Sequence, residues 1–202
     1  MSVSAFEKRE IIFDHRDRPD VSAYILLAGV ARITCINRKG QRVLLMMVGP
    51  GMIPSIPQPT PGVSFGFRCE AVTDCEIATI GMDALINISL GTSALDFQRM
   101  AYNCLGRWDA VHVRCADFMS FPLGERLALT LLQLGDDLGT PNPQGTELGV
   151  RLRHSDLAEL LGATRPRVTE HLKRLERKRL IIRQGRHRIV ITDRLRDSIP
   201  RG

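Results

Sequence analysis

Apolar residues follow a strand-like pattern in the first half of this chain and a helical one in the second. Residues 24–36 read Tyr-Ile-Leu-Leu-Ala-Gly-Val-Ala-Arg-Ile-Thr-Cys-Ile, and residues 41–48 read Gln-Arg-Val-Leu-Leu-Met-Met-Val. Both runs are rich in apolar and β-branched side chains, and they flank Asn37-Arg38-Lys39-Gly40. That pattern predicts a β-hairpin. Gly49-Pro50-Gly51 then forces a turn, and residues 64–72 and 76–80 resume the strand pattern on either side of Thr73-Asp74. Together these segments predict an antiparallel barrel or roll.

The period lengthens between Thr92 and Ser120, a stretch without proline. Apolar side chains recur there at Phe97, Ala101, Cys104, Trp108, Val111, Cys115 and Phe118, with spacings that alternate between 4 and 3. A long helix with a heptad seam is predicted, and such a stripe must be buried on its own domain or on a second copy. The strict 3.5-residue period around Trp108 favours a parallel two-helix seam on a two-fold axis. Cys104 and Cys115 would each face their counterpart there. Oxidation could then staple the dimer, although small buried cysteines are ordinary packing residues.

Ser120 is positioned to cap a following helix with Pro122 in its first turn. That helix, residues 123–138, carries Leu127, Leu131, Leu134 and Leu138 on one face. Residues 136–149, rich in Gly, Pro and Asn, read as a turn-forming connection. In residues 153–175, Leu157, Leu160 and Leu161 form the buried face of one helix, and small Ala158 admits a second. Gly162 supplies a left-handed turn and Thr164 a cap. Val168, Leu172 and Leu175 bury the second helix and leave Arg165, Arg167, Thr169, Glu170 and Lys173 outward, a set able to read base edges and hold phosphates. Residues 180–182 and 189–191 are short apolar strands about a basic glycine turn. They form a wing that would bring Arg186 and Arg188 to the DNA backbone. His154, at the start of the first helix, joins the DNA-facing set.

Charge strengthens this picture. Residues 150–202 hold 15 Lys+Arg against 6 Asp+Glu, whereas the rest of the chain holds 13 against 16. The basic partner surface therefore lies in the C-terminal quarter, where phosphates would release counterions. With 44% hydrophobic and 25% charged residues the chain reads as globular and long enough for two domains. The 25 uncharged residues from Val43 to Phe67 contain five prolines, which excludes a lipid-facing helix. The five cysteines form no CxxC pair, and no signal segment precedes them, so free thiols in a cytoplasm are expected. No nucleophile elbow, phosphate-binding loop or HExxH occurs. His15 reads as a surface side chain. No catalytic residue, metal site or cofactor is expected, and an enzyme is disfavoured.

Sheet domain, long helix, linking helix and winged helix-turn-helix, in this order, resemble the CRP/FNR family of bacterial transcription regulators over nearly the whole chain. The resemblance is carried by residues 24–33, by Gly49-Pro50-Gly51, by Ala71-Val-Thr-Asp-Cys-Glu-Ile-Ala-Thr-Ile, and by Leu157-Ala-Glu-Leu-Leu-Gly-Ala-Thr-Arg-Pro-Arg-Val-Thr-Glu-His-Leu. It implies an α+β fold with three parts. Residues 1–91 would be an antiparallel, cyclic-nucleotide-binding-like β-roll of the double-stranded β-helix or jelly-roll type. Residues 92–120 would be the dimerisation helix, and residues 121–202 the winged helix-turn-helix. The partners implied are double-stranded DNA, a second copy of the chain and, for an activator, RNA polymerase; no membrane is implied.

Cyclic-nucleotide binders of the family carry a Gly-Glu pair after the Pro-Gly turn, then an Arg-Ser or Arg-Thr pair for the phosphate. This chain has Met52-Ile-Pro-Ser-Ile-Pro and Phe65-Gly66 instead, and Arg68 would need a shifted register. Cyclic AMP and cyclic GMP are therefore not expected as ligands. Iron-sulfur members use an N-terminal cysteine cluster, but no cysteine precedes Cys35. His112 is the one candidate haem ligand, with a plain helix-surface role as the alternative. A redox, haem or small-molecule signal acting through the roll remains the competing description. The family pattern on the second helix, a Glu followed four residues later by an Arg, is replaced here by Pro166 and Glu170, while Arg165 is kept. A different operator is implied.

Overall fold

A computed structural model describes residues 2–14, 21–36, 42–51, 67–91, 93–96, 98, 113, 115–185 and 187–199. The chain forms two compact units, residues 1–42 with 48–120 and residues 121–202 with 43–47.

The N-terminal half of the chain is antiparallel β-structure. Strands β1 (Ser2–Phe6), β7 (Cys75–Gly81) and β3 (Val21–Ala28) form one sheet in the order β1-β7-β3. Strands β2 (Ile11–Asp14), β6 (Phe67–Ala71), β4 (Ala31–Ile36) and β5 (Arg42–Val48) form a second in the order β2-β6-β4-β5. The neighbourhood of β4 and β5 agrees with a hairpin, whose turn at residues 37–41 lies outside the described residues.

The first apolar run, however, is two strands rather than one. Gly29, at φ +89°, breaks it so that β3 and β4 enter different sheets. A Cβ at Gly29 would run into the carbonyl oxygen of Asp74, so only glycine fits this corner. The β6–β7 turn switches sheets at the same place. Val72 N and Thr73 N donate to Val30 O at 2.8 and 3.2 Å, and Val30 N donates to Thr73 Oγ1 at 2.9 Å. These bonds satisfy the backbone groups that leave the ladders at the corner. Inside, Phe13 and Tyr24 stack with ring centroids 4.4 Å apart, and Leu26, Cys69 and Ile77 are fully buried. Helix α1 (Met82–Gly91), which the apolar pattern did not announce, follows β7.

Of the predicted heptad positions, Phe97, Ala101, Cys104, Trp108 and Val111 lie outside the described residues. Residues 115–120 are helical, with Cys115 exposed and Phe118 half-buried.

In the second unit, α2 (Leu123–Leu138) buries Leu127, Leu131, Leu134 and Leu138. Pro122 is its N-cap rather than a first-turn residue: Pro122 O accepts from Glu125 N and Arg126 N, and residue 120 still belongs to the preceding helical segment. The expected connection after this helix is instead a hairpin of β8 (Gly139–Asn142) and β9 (Gly145–Leu148). It pairs with the wing strands β10 (Ile181–Gln184) and β11 (Arg188–Ile191) in a sheet of order β10-β11-β9-β8. Thr146 and Glu147 pair with Ile191 and Val190, contacts that turn-forming composition cannot reveal. Helices α3 (His154–Leu160), α4 (Arg165–Arg177) and α5 (Asp193–Asp197) complete the unit. Their core holds Leu152, Leu157, Leu161, Val168, Leu172, Ile181, Ile191 and Leu195, none more than 2% exposed.

Candidate nucleic-acid interface

Helix α4 projects its functional side chains because its apolar residues recur on one stripe. Val168 and Leu172 are fully buried and Leu175 nearly so, while Arg165, Arg167, Glu170 and Lys173 are exposed. The turn from α3 passes through Gly162 at φ +56°, the left-handed conformation its missing Cβ permits. Thr164 stands at the N-cap position with extended backbone, but its side chain makes no capping bond. Pro166 explains part of this, since its nitrogen has no hydrogen to offer a cap.

The outward face carries more than the sequence pattern singled out. Glu170, Lys173, Glu176 and Arg177 line an open groove of about 450 Å³ along α4. Arg174 and Arg177 are exposed and end the helix with positive charge. Their i+4 spacing from Glu170 and Lys173 was the available signal. Among the described residues no ion pair engages Arg165, Arg167, Lys173, Arg174 or Arg177.

Thr169 and His154 meet rather than standing free. His154 Nδ1 lies 2.8 Å from Thr169 Oγ1, which in turn donates to the carbonyl oxygen of Arg165 at 2.8 Å. Burial, followed by the charges of Arg183, Arg165 and His187, pushes the His154 pKa below its ordinary 6.5. Arg183 and His187 were not among the expected site residues; only folding brings β10 and the wing turn to α3.

The wing turns at Gly185, φ +65°, with Gln184 opposite Arg188. Arg188 lies 3.6 Å from Glu147 yet keeps 55% of its side chain exposed. Arg186 lies outside the described residues, as do His15 and His112.

In the first unit Arg68 is held by Asp14, with Nε and Nη2 at 2.9 and 2.8 Å from Oδ2. Arg32 lies 2.8 and 3.0 Å from the two carboxylate oxygens of Glu70. Burial pushes the Cys69 thiol up to about 12 and raises the Cys35 and Cys75 thiols as well. Buried thiols of this kind are poor nucleophiles at neutral pH. Among the described residues, no group of three His, Cys, Asp or Glu side chains could hold a metal ion, and no helix is long and apolar enough to cross a membrane.

Comparison with known proteins agrees with this layout. Residues 3–90 match the family model of the cyclic nucleotide-binding domain, and residues 125–196 match that of the Crp-like helix-turn-helix domain. The global nitrogen regulator of Synechococcus elongatus is 22% identical over 183 residues, spanning 90% of this chain and 82% of that protein. FixK2 from Bradyrhizobium japonicum shares the fold with a TM-score of 0.79 at 18% identity, covering 100% of this chain and 98% of that one. A CRP-family transcriptional regulator of Thermus thermophilus gives 0.72 at 22% identity, covering 96% and 95%. With a cyclic nucleotide-binding domain followed by a Crp-like helix-turn-helix in one chain, this protein belongs to the CRP/FNR family of transcription regulators and is a DNA-binding regulator rather than an enzyme.

Proposed function

We propose that the protein binds a pseudo-palindromic operator as a homodimer, without control by cyclic AMP or cyclic GMP. Residues 1–91 serve as the sensor-like roll, residues 92–120 as the dimer helix and residues 121–202 as the DNA-binding domain. The observation that carries the reading is the outward face of α4, where Arg165, Arg167 and Lys173 are exposed and, among the described residues, make no ion pair, opposite the buried Val168 and Leu172. Arg165 or Arg167 takes guanine in the major groove, Glu170 accepts from a cytosine amine, and Lys173, Arg186 and Arg188 hold phosphates. Half-sites about one helical turn apart match the two-fold symmetry of the dimer.

Dimerisation through the seam from Phe97 to Phe118 is supported by the exposure of Cys115, a seam position, and of Met119 one turn beyond it, 89% exposed. Independence from cyclic nucleotides is supported by Arg68, whose guanidinium is already bound to Asp14. The protein works in the cytoplasm and, as an activator, also meets RNA polymerase. The exposed thiol of Cys115 supports a second reading, in which oxidation joins two copies and gates DNA binding.

Selection of bound duplexes from random DNA, with and without reductant, tests both. A dyad-symmetric motif independent of reductant is expected, whereas a motif that appears only under one redox condition favours the second reading. Calorimetry should show no binding of cyclic AMP or cyclic GMP, and micromolar binding of either would overturn that part.

A further inference from the structure

The first turn of α4 is anchored by a histidine from a different helix. The Thr169 hydroxyl has one proton to give, and the Arg165 carbonyl, 2.8 Å away, can only accept it. Thr169 Oγ1 is therefore the acceptor toward His154, and Nδ1 carries a hydrogen. In the neutral ring this tautomer leaves Nε2 as a bare lone pair. The half-buried imidazole is faced by Arg165 of α4, by Arg183 of β10, itself 3.5 Å from Glu176 of α4, and by His187 of the wing turn. On its own helix, Arg153 is ion-paired with Asp156 at 3.2 Å. Desolvation and the charges of Arg183 and Arg165 keep the ring neutral at pH 7 in the free protein. The same cations form a setting whose common partner is an anion.

We propose that His154 takes up a proton at Nε2 as duplex DNA binds, so that the affinity of each protomer is coupled to pH. The proposal rests on the DNA-facing assignment of α4 and the wing given above. Phosphates arriving beside Arg165, Arg183 and His187 reverse the local potential and stabilise the imidazolium. Nε2–H then donates to a phosphate oxygen, a charge-assisted bond that the neutral tautomer cannot make. The bond from Nδ1–H to Thr169 survives, because an imidazolium donates from both nitrogens. The proton comes from solvent. Uptake of one proton makes binding tighten as pH falls, by up to about tenfold per pH unit per protomer between the free and bound pKa values.

The test titrates the full chain at constant salt, from about pH 5.5 to pH 8, with the duplex recovered by selection from random DNA. Affinity is expected to rise as pH falls. His154→Gln keeps an N–H for Thr169 but cannot ionise, and it should flatten the profile while retaining binding. A flat wild-type profile or a slope that persists in His154→Gln would overturn the proposal. Should His154→Gln fail to fold, the wild-type imidazole proton resonances decide. The His154 signal should titrate below the ordinary range in free protein and above it in the complex, and an unmoved midpoint would overturn the proposal. Failure to recover any duplex would instead overturn the DNA-facing assignment, and the proposal with it.

Discussion

On the β2-β6-β4-β5 sheet, Arg32 and Arg68 lie opposite Glu70 and Asp14 in neighbouring strands and are bound to them at 2.8–3.0 Å. Helix α4 carries Arg165, Arg167, Lys173, Arg174 and Arg177 on its solvent side with no ion pair among the described residues. The same kind of side chain thus pins strand register in one unit and stays available in the other. Holding five cations on one helix costs mutual repulsion, which phosphate binding and counterion release would offset. The charges of Arg32 and Arg68 are used within the fold; the exposed cations of α4 are free to meet a partner.

The largest expected effect is that of Arg165→Ala, which should weaken binding to the selected operator by about 1–3 kcal/mol and relax one base position. Competition between selected and scrambled duplexes measures it, and equal losses on both would deny Arg165 a reading role. Arg32→Ala should do the reverse. It strands the half-buried Glu70 carboxylate and should cost about 2 kcal/mol of stability in denaturant titration, with DNA affinity unchanged. A loss of DNA affinity there would break the contrast.

Lys173→Ala should weaken all sequences alike and lower the salt slope of binding by about one. For His154 the folded pKa lies below its ordinary value, so protonation favours the unfolded chain. Its contribution is fully present above pH 6.5 and is given up as pH falls through the folded pKa. The denaturation midpoint of the wild type should therefore drop on acidification relative to His154→Gln, opposite in sense to the proposed tightening of DNA binding.

The smallest effect concerns the end of α4, where Arg179 takes φ +57° in a turn closed by bonds from Leu180 N to Leu175 O and from Arg179 N to Glu176 O. Glycine is the usual residue there. Arg179→Gly should stabilise the fold by about 0.5–1 kcal/mol, read as a raised denaturation midpoint.

Local periodicity alone determined the helix-turn-helix. Leu157, Leu161, Val168 and Leu172 fall on helical stripes, Gly162 marks the turn, and the wing strands are short apolar runs about Gly185. All of these signals act within a few residues, where spacing and steric preference are legible. Tertiary structure decided the rest. Ser2–Phe6 is a strand only because β7 offers it an edge, although four of its five residues are exposed. Gly29 splits an uninterrupted apolar run because the Asp74 carbonyl closes on it from 45 residues away. The β8–β9 hairpin, rich in turn-forming residues, is fixed by pairing with β11. The pair Arg68–Asp14 likewise joins residues distant in sequence. Such contacts depend on which strands and helices become neighbours, a choice made by long-range packing that no window of residues contains.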